Sequence, residues 1–223
     1  MRPLEWLVLL GNLVLFLALA VPSTRTTPWP TRVAGVAVIL VVVQALSEGL
    51  RWQMIPLFLA GGVLVLLSLL LRQMSPDAAV HPSKLRQVTT VAAISIGACA
   101  LAFAAALPLL LPVTRLPPPS GPYEIGTLTY HWIDNERAEA FSALSSDRRE
   151  LMVQLWYPAA PSRNLPRAPY VEPGRTLAPL ARLLRLPKFF FSHLQYASTN
   201  AAQAAPITEE PTRFPVLVFS HGW

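Results

Sequence analysis

Four apolar stretches in the first half of the chain constrain everything else. Leu4–Pro22 is nearly continuous, Val33–Leu46 is broken only by Gln44, Met54–Leu71 has only Ser68 as a polar residue, and Val91–Leu111 only Ser95. A helix crosses the hydrocarbon core with about 20 apolar residues. The first, third and fourth stretches approach or meet that length. The second has 14 residues and reaches it by extending through Ser47 and Glu48 toward Leu50, with snorkelling ends. Stretches with almost no polar face are not the amphipathic helices of a soluble protein. The expectation is a transmembrane bundle over residues 1–112, with spans at about 4–22, 31–50, 53–71 and 90–111.

Charge follows the same division. Of 223 residues, 53% are hydrophobic and 13% charged, against about a quarter charged in soluble domains. Residues 1–114 hold seven of the 18 Lys/Arg and three of the 12 Asp/Glu. The rest of the chain has the charge density of an ordinary globular segment. The 23 prolines and 10 glycines exclude one helical bundle running end to end. The net charge of +6 comes mostly from the flanks of apolar helices. No Lys/Arg cluster with interleaved aromatics appears, so the expected partner is a lipid bilayer and not a nucleic acid. Cys99 is the lone cysteine, set among apolar residues, which leaves no disulfide framework or CxxC site.

The chain is expected to be a multi-pass protein of the cell membrane. A second reading of its start is open, because Arg2, an apolar run and Ala18-Leu19-Ala20 also resemble a cleavable signal peptide. Glu5 and the spans that follow favour a retained helix. With four spans, the first and third loops carry Arg25, Arg32, Arg72, Lys84 and Arg86, and the other side carries Arg2, Arg51 and Arg115. Five against three places the first and third loops in the cytoplasm and both chain ends outside. No acid or base lies well inside a span, and Glu48 sits at an edge. Gly61-Gly62 and Ala104–Ala106 permit close helix approach. The bundle reads as an anchor or packing module.

Residues 113–122 form a linker whose LPPPSGP run (Leu116–Pro122) is stiff and extended. After it, Tyr123–Ile133 and Leu151–Tyr157 read as strands and form an antiparallel opening pair. Asp134–Glu139 and Asp147–Glu150 read as polar turns. Thr176–Leu186 has leucines at helical spacing with Arg182 and Arg185 between them, a short amphipathic helix that suits either a protein core or a lipid surface. Phe189-Phe190-Phe191 beyond it suits packing, an acyl-binding wall or a lipid-dipping patch. Phe214–Ser220 is apolar throughout, as in a strand buried on both faces of an α/β sheet. Such a strand needs neighbours, so the chain is expected to be a fragment that breaks off at Ser220-His221-Gly222-Trp223.

These residues carry a resemblance. Gly121–Thr127 (GPYEIGT), then Asp134 and Arg137, then Leu151–Ala159 (LMVQLWYPA), then Phe214–Trp223 (FPVLVFSHGW) is similar to the platelet-activating factor acetylhydrolase family of the α/β-hydrolase superfamily. The resemblance covers residues 121–223. It implies that 123–223 are the N-terminal part of an α/β-hydrolase domain, truncated. It also implies a serine carboxylic-ester hydrolase acting on a lipid, phospholipid or other small ester, without metal or organic cofactor. The membrane anchor would place it, extracytoplasmically, in lipid metabolism. In such enzymes serine attacks the ester, histidine takes its proton and aspartate orients the histidine. By resemblance, the backbone N–H of Trp223 is an oxyanion-hole donor, and Gly222 lets the loop turn tightly there. His221 is then a loop residue and not the base.

No glycine pair brackets a serine as Gly-x-Ser-x-Gly. The nucleophile, base and acid are therefore expected beyond Trp223, and this chain alone is expected to be inactive. His81, His131 and His193 show no metal-ligand spacing and read as loop or surface residues. Asp134, Glu136 and Glu139 read as a solvated charged turn. Two alternatives remain: another α/β-hydrolase (a dienelactone-hydrolase-like esterase or a peptidase), or a non-catalytic membrane-anchored binding protein.

Overall fold

The computed structural model describes residues 1–25, 27–73, 84–161, 164–171, 177–209 and 213–220. Among the described residues, four helical stretches are long and apolar enough to cross a membrane: Pro3–Ala20, Trp29–Glu48, Trp52–Gln73 and Val88–Leu110. They are compatible with a membrane protein. We label the helices α1 (Pro3–Ala20), α2 (Pro22–Arg25, a single turn), α3 (Trp29–Glu48), α4 (Ile55–Gln73) and α5 (Lys84–Leu110), with a 3₁₀ turn over Trp52–Met54 leading into α4.

The chain divides into two compact units. The first comprises Met1–Val113 and Leu177–His193. Its core is one cluster of Val8, Met54, Leu57, Leu101 and Ala104 and a second of Leu15, Leu19 and Ala34. The outward faces are also apolar, with Leu10, Ile39, Leu59, Ile96 and Phe103 all exposed. A helix that is apolar all round belongs in apolar surroundings. Cys99 sits exposed on this surface. Polar side chains are nevertheless buried within the bundle. Asn12 donates from Nδ2 to the Leu57 carbonyl at 3.0 Å. The short helix α6 (Leu177–Leu183) buries Leu177 and Ala181 and leaves Leu180 and Leu183 exposed. Phe189 and Phe190 pack on Trp52, with ring centroids 5.4 and 5.7 Å away.

The second unit comprises Thr114–Thr176 and Leu194–Trp223. Its strands are β1 (Glu124–Ala138), β2 (Arg148–Ala159), β3 (Arg167–Pro169) and β4 (Ser198–Gln203), in the sheet order β2-β1-β4-β3. The opening pair is antiparallel as expected, with Gly126 opposite Tyr157 and Leu128 opposite Leu155. Strand β4 runs parallel to β1, with Gly126 beside Ala202, and β3 is antiparallel to β4.

Three expectations change. Strand β1 continues through the expected turn at Asp134 as far as Ala138, with an irregularity in the pairing there. Its side chains over this stretch face water, where charge does not oppose a ladder. The turn falls later and is held by Ser142 donating to Asp147 and by the Phe141 N–H donating to Glu139 at 3.1 Å. Strand β4 arises from Ser-Thr-Asn-Ala-Ala-Gln, a run of low strand propensity. It forms because Ala201 and Ala202 are small enough to be fully buried beside β1.

The third change concerns Phe214–Ser220, which is neither a strand nor buried. Val216–Phe219 are 85–95% exposed. A strand buried on both faces needs paired neighbours and covering layers. The described residues supply neither to this segment, which pairs with no strand of the β2-β1-β4-β3 sheet.

Candidate functional site

The residues expected to form the oxyanion loop, Trp223 and Gly222, lie with His221 outside the described residues. The lead-in to that loop is described. Phe214 meets Tyr123 edge-to-face, with centroids 5.5 Å apart, which ties the start of the FPVLVFS run to the start of the GPYEIGT motif. Of the three motif segments, two are therefore paired strands, and the third is held beside them by one aromatic contact.

Gly126 shows why that motif needs a glycine. A Cβ there would stand 2.4 Å from Tyr157 Cε2, so the tyrosine ring lies directly over bare backbone. The Tyr157 hydroxyl donates to the Ala205 carbonyl at 2.6 Å. Thr127 donates from Oγ1 to the Leu155 carbonyl at 2.8 Å. These contacts tie β1, β2 and the end of β4 into one block.

The histidines divide. His131 pairs with Glu150 across the strands at 2.8 Å, and both are well exposed. His81 lies outside the described residues. His193, expected as a loop or surface residue, is buried to 4% exposure. Its Nδ1 donates to the Phe190 carbonyl at 3.2 Å. Burial pushes its pKa below the ordinary imidazole value, the bond to Phe190 opposes this, and the nearby Arg51 charge adds to the lowering. Asp134 pairs with Arg137 at 3.3 Å in an exposed position, a solvated contact and not an acid–base pair. Among the described residues, no three His, Cys, Asp or Glu side chains are grouped to hold a metal ion.

Sequence reasoning missed a buried polar cluster in the first unit. Arg51 donates from Nε and Nη2 to both oxygens of Glu5 at 2.7 Å, and both side chains are fully buried. Arg51 also donates to the carbonyls of Leu111 at 2.6 Å and Pro108 at 3.3 Å. Arg2 donates to the Glu48 carbonyl and, at 2.7 Å, to the Gly49 carbonyl. The Leu4 N–H donates to Glu48 Oε1 at 3.0 Å. The bonds to backbone groups each meet an orphan group at a helix end. Glu48 stands at the start of α1, Arg2 at the end of α3 and Arg51 at the end of α5. Gly49, where α3 ends, has φ 74° and ψ 159°, a backbone region open essentially to glycine alone.

Glu5 accepts from the Arg2 backbone N–H and Nε and from two Arg51 nitrogens. That fills the roughly four acceptor positions of a carboxylate. The cluster is therefore a clamp on helix ends. The available signal was Arg2-x-x-Glu5 at one helix start, together with Glu48 and Arg51 in one short loop.

No protein-family model matches the sequence, and no curated protein matches it. Among solved structures, it is similar to a ferulic acid esterase from Streptomyces cinnamoneus. Identity is 33% over 45% of this chain and 26% of that chain, with a TM-score of 0.34. The chain spans about a quarter of that esterase's length, and a TM-score this low does not establish a shared fold.

Proposed function

We propose that the protein carrying this chain is a membrane-anchored serine carboxylic-ester hydrolase. Its substrate would be a lipid or phospholipid ester with a short or oxidised acyl chain. The supporting observation is that the first two motif segments pair residue to residue, Gly126 opposite Tyr157, with the tyrosine ring seated where only glycine leaves room. A motif glycine and a motif tyrosine that depend on each other in space fit one structural unit better than a chance run of similar residues.

In this reading the backbone N–H of Trp223 stabilises the oxyanion of an acyl-transfer intermediate, and Gly222 lets the loop turn. A donor of this kind contributes about 10²–10³ in turnover. Residues 1–223 contain no nucleophile elbow, so activity requires sequence downstream of the Trp223 codon. The test extends the coding sequence past that codon and treats membranes with a fluorophosphonate probe. Labelling of the extended product at a Gly-x-Ser-x-Gly serine, with none of residues 1–223, is the expected result. An extended product that has no such serine, or that does not label, overturns the reading.

The exposed run Val216–Phe219 favours a second reading, a non-catalytic membrane-anchored binding protein that offers this run to a partner. A stop codon directly after Trp223 would support it. If the extended product labels but cleaves aromatic or lactone esters in preference to phospholipids, another α/β-hydrolase is the better assignment.

A further inference from the structure

The first unit contains a groove of about 440 Å³ between α1, α4 and α5. Small residues on α4 and α5, among them Ala60, Ala93, Gly97 and Ala100, line it and leave the space unfilled. Val63 and Leu67 line it and remain 57% and 43% exposed, so it opens sideways toward whatever surrounds the bundle. Packed interiors leave few voids larger than a water molecule, and a groove of this volume is of ligand size.

The groove has a direction. It runs along α5 from Thr89 and Thr90 to Leu101, about 18 Å at 1.5 Å per residue. One leaflet of hydrocarbon is about 15 Å deep. Thr89 and Thr90 put hydroxyls at the end where α1 finishes and α5 begins, and the lining from Ala93 to Leu101 is apolar. That polar end is also the basic end of the bundle. Arg32 lies in the first turn of α3, Arg72 in the last turn of α4, and Lys84 and Arg86 in the first turn of α5. The connecting sequence carries one acid, Asp77. A groove one leaflet long, apolar at depth and cationic at its mouth, complements an anionic amphiphile.

We propose that this groove holds one acyl chain of an anionic membrane phospholipid, with the headgroup at the end where Arg32 and Arg72 lie exposed. The proposal rests on the membrane placement of the bundle but not on the esterase reading. Its test is native mass spectrometry of the full chain released from nanodiscs of equal phosphatidylglycerol and phosphatidylcholine. One lipid retained per chain is expected, with phosphatidylglycerol favoured about fivefold for each basic residue that reaches it. The A93F/A100F pair fills the groove at two exposed lining positions and should abolish retention. I39F and L59F, on outward faces away from the groove, should leave it intact. Retention by A93F/A100F equal to that of the parent overturns the proposal, as does a parent that retains no lipid. A dimer that A93F/A100F dissociates also overturns it, because the occupant is then a second copy. Release of the chain from membranes by alkaline carbonate removes the membrane placement itself, a failure distinguishable from an empty groove in an inserted protein.

Discussion

Arg51 holds Glu5 through two parallel bonds of 2.7 Å across 46 positions of sequence, with neither side chain reaching solvent. The same guanidinium caps the end of α5 at Leu111. One side chain thus joins the start of α1, the entry to α4 and the end of α5.

Removing Glu5 strands the buried Arg51 charge, and removing Arg51 leaves Glu5 with Arg2 as its only cation; breaking a buried pair in this way costs about 3–5 kcal/mol. R51A and E5Q should each lower the thermal midpoint of the full chain in detergent by many degrees. The pair E5Q/R51A should recover much of the loss, because neither charge is then stranded. Arg2 keeps 12% of its side chain exposed, so R2A should cost less than R51A. If the double variant is as unstable as the sum of the single ones, the two residues do not act as a pair.

Gly126 and Tyr157 should be coupled in the same way. A methyl at position 126 meets the ring at 2.4 Å, and overpacking of this kind costs about 1–3 kcal/mol. Y157F loses only the bond to Ala205 and should cost about 1 kcal/mol. G126A combined with Y157A should be less damaging than the two separate losses added, because the smaller side chain vacates the space the methyl needs. Urea midpoints of the full chain in detergent, read by limited proteolysis between residues 123 and 209, would measure this.

The long elements were legible because their signals are local. Runs of Leu, Val and Ala specify apolar helices whatever they pack against, and Leu151–Tyr157 alternates as a strand must. What stayed hidden depends on partners distant in sequence. Strand β4 owes its existence to the space beside Gly126, which nothing in Ser198–Gln203 announces. Phe214–Ser220 has the composition of a central strand but finds no pairing edge among the described residues. The Glu5–Arg51 clamp was invisible for the same reason, since each residue alone reads as a helix flank. Trp223 and Gly222 rest on motif resemblance alone.

His193 makes a pH prediction. Its folded-state pKa lies below the ordinary value, chiefly through burial. Below about pH 6.5, where free imidazole gains a proton, the unfolded chain binds a proton that the folded chain resists. Stability therefore falls as pH drops through that value, and levels off once the folded-state pKa is passed. H193N keeps a donor for the Phe190 carbonyl but cannot titrate. Thermal midpoints of the full chain between about pH 8 and pH 5 should fall less in H193N than in the parent. Equal slopes would show that another group carries the effect.

The helix-end clamp also bears on topology. Arg2 bonds the carbonyls of Glu48 and Gly49, and Arg51 bonds that of Leu111, so the chain start, the α3–α4 loop and the exit from α5 lie at one end of the bundle. If the bundle spans a bilayer, the segment after Leu111 leaves on the side where the chain begins. The five-to-three excess of Lys/Arg in the first and third loops predicts that side to be extracytoplasmic. Alkaline phosphatase fused after Trp223 should be active there and a fluorescent protein dark, with both signals inverted for fusions after Ala78. The same readout at both positions would mean that α5, the candidate span between them, does not cross. Opposite readouts with the signs exchanged would keep the clamp's geometry and overturn only the orientation drawn from charge.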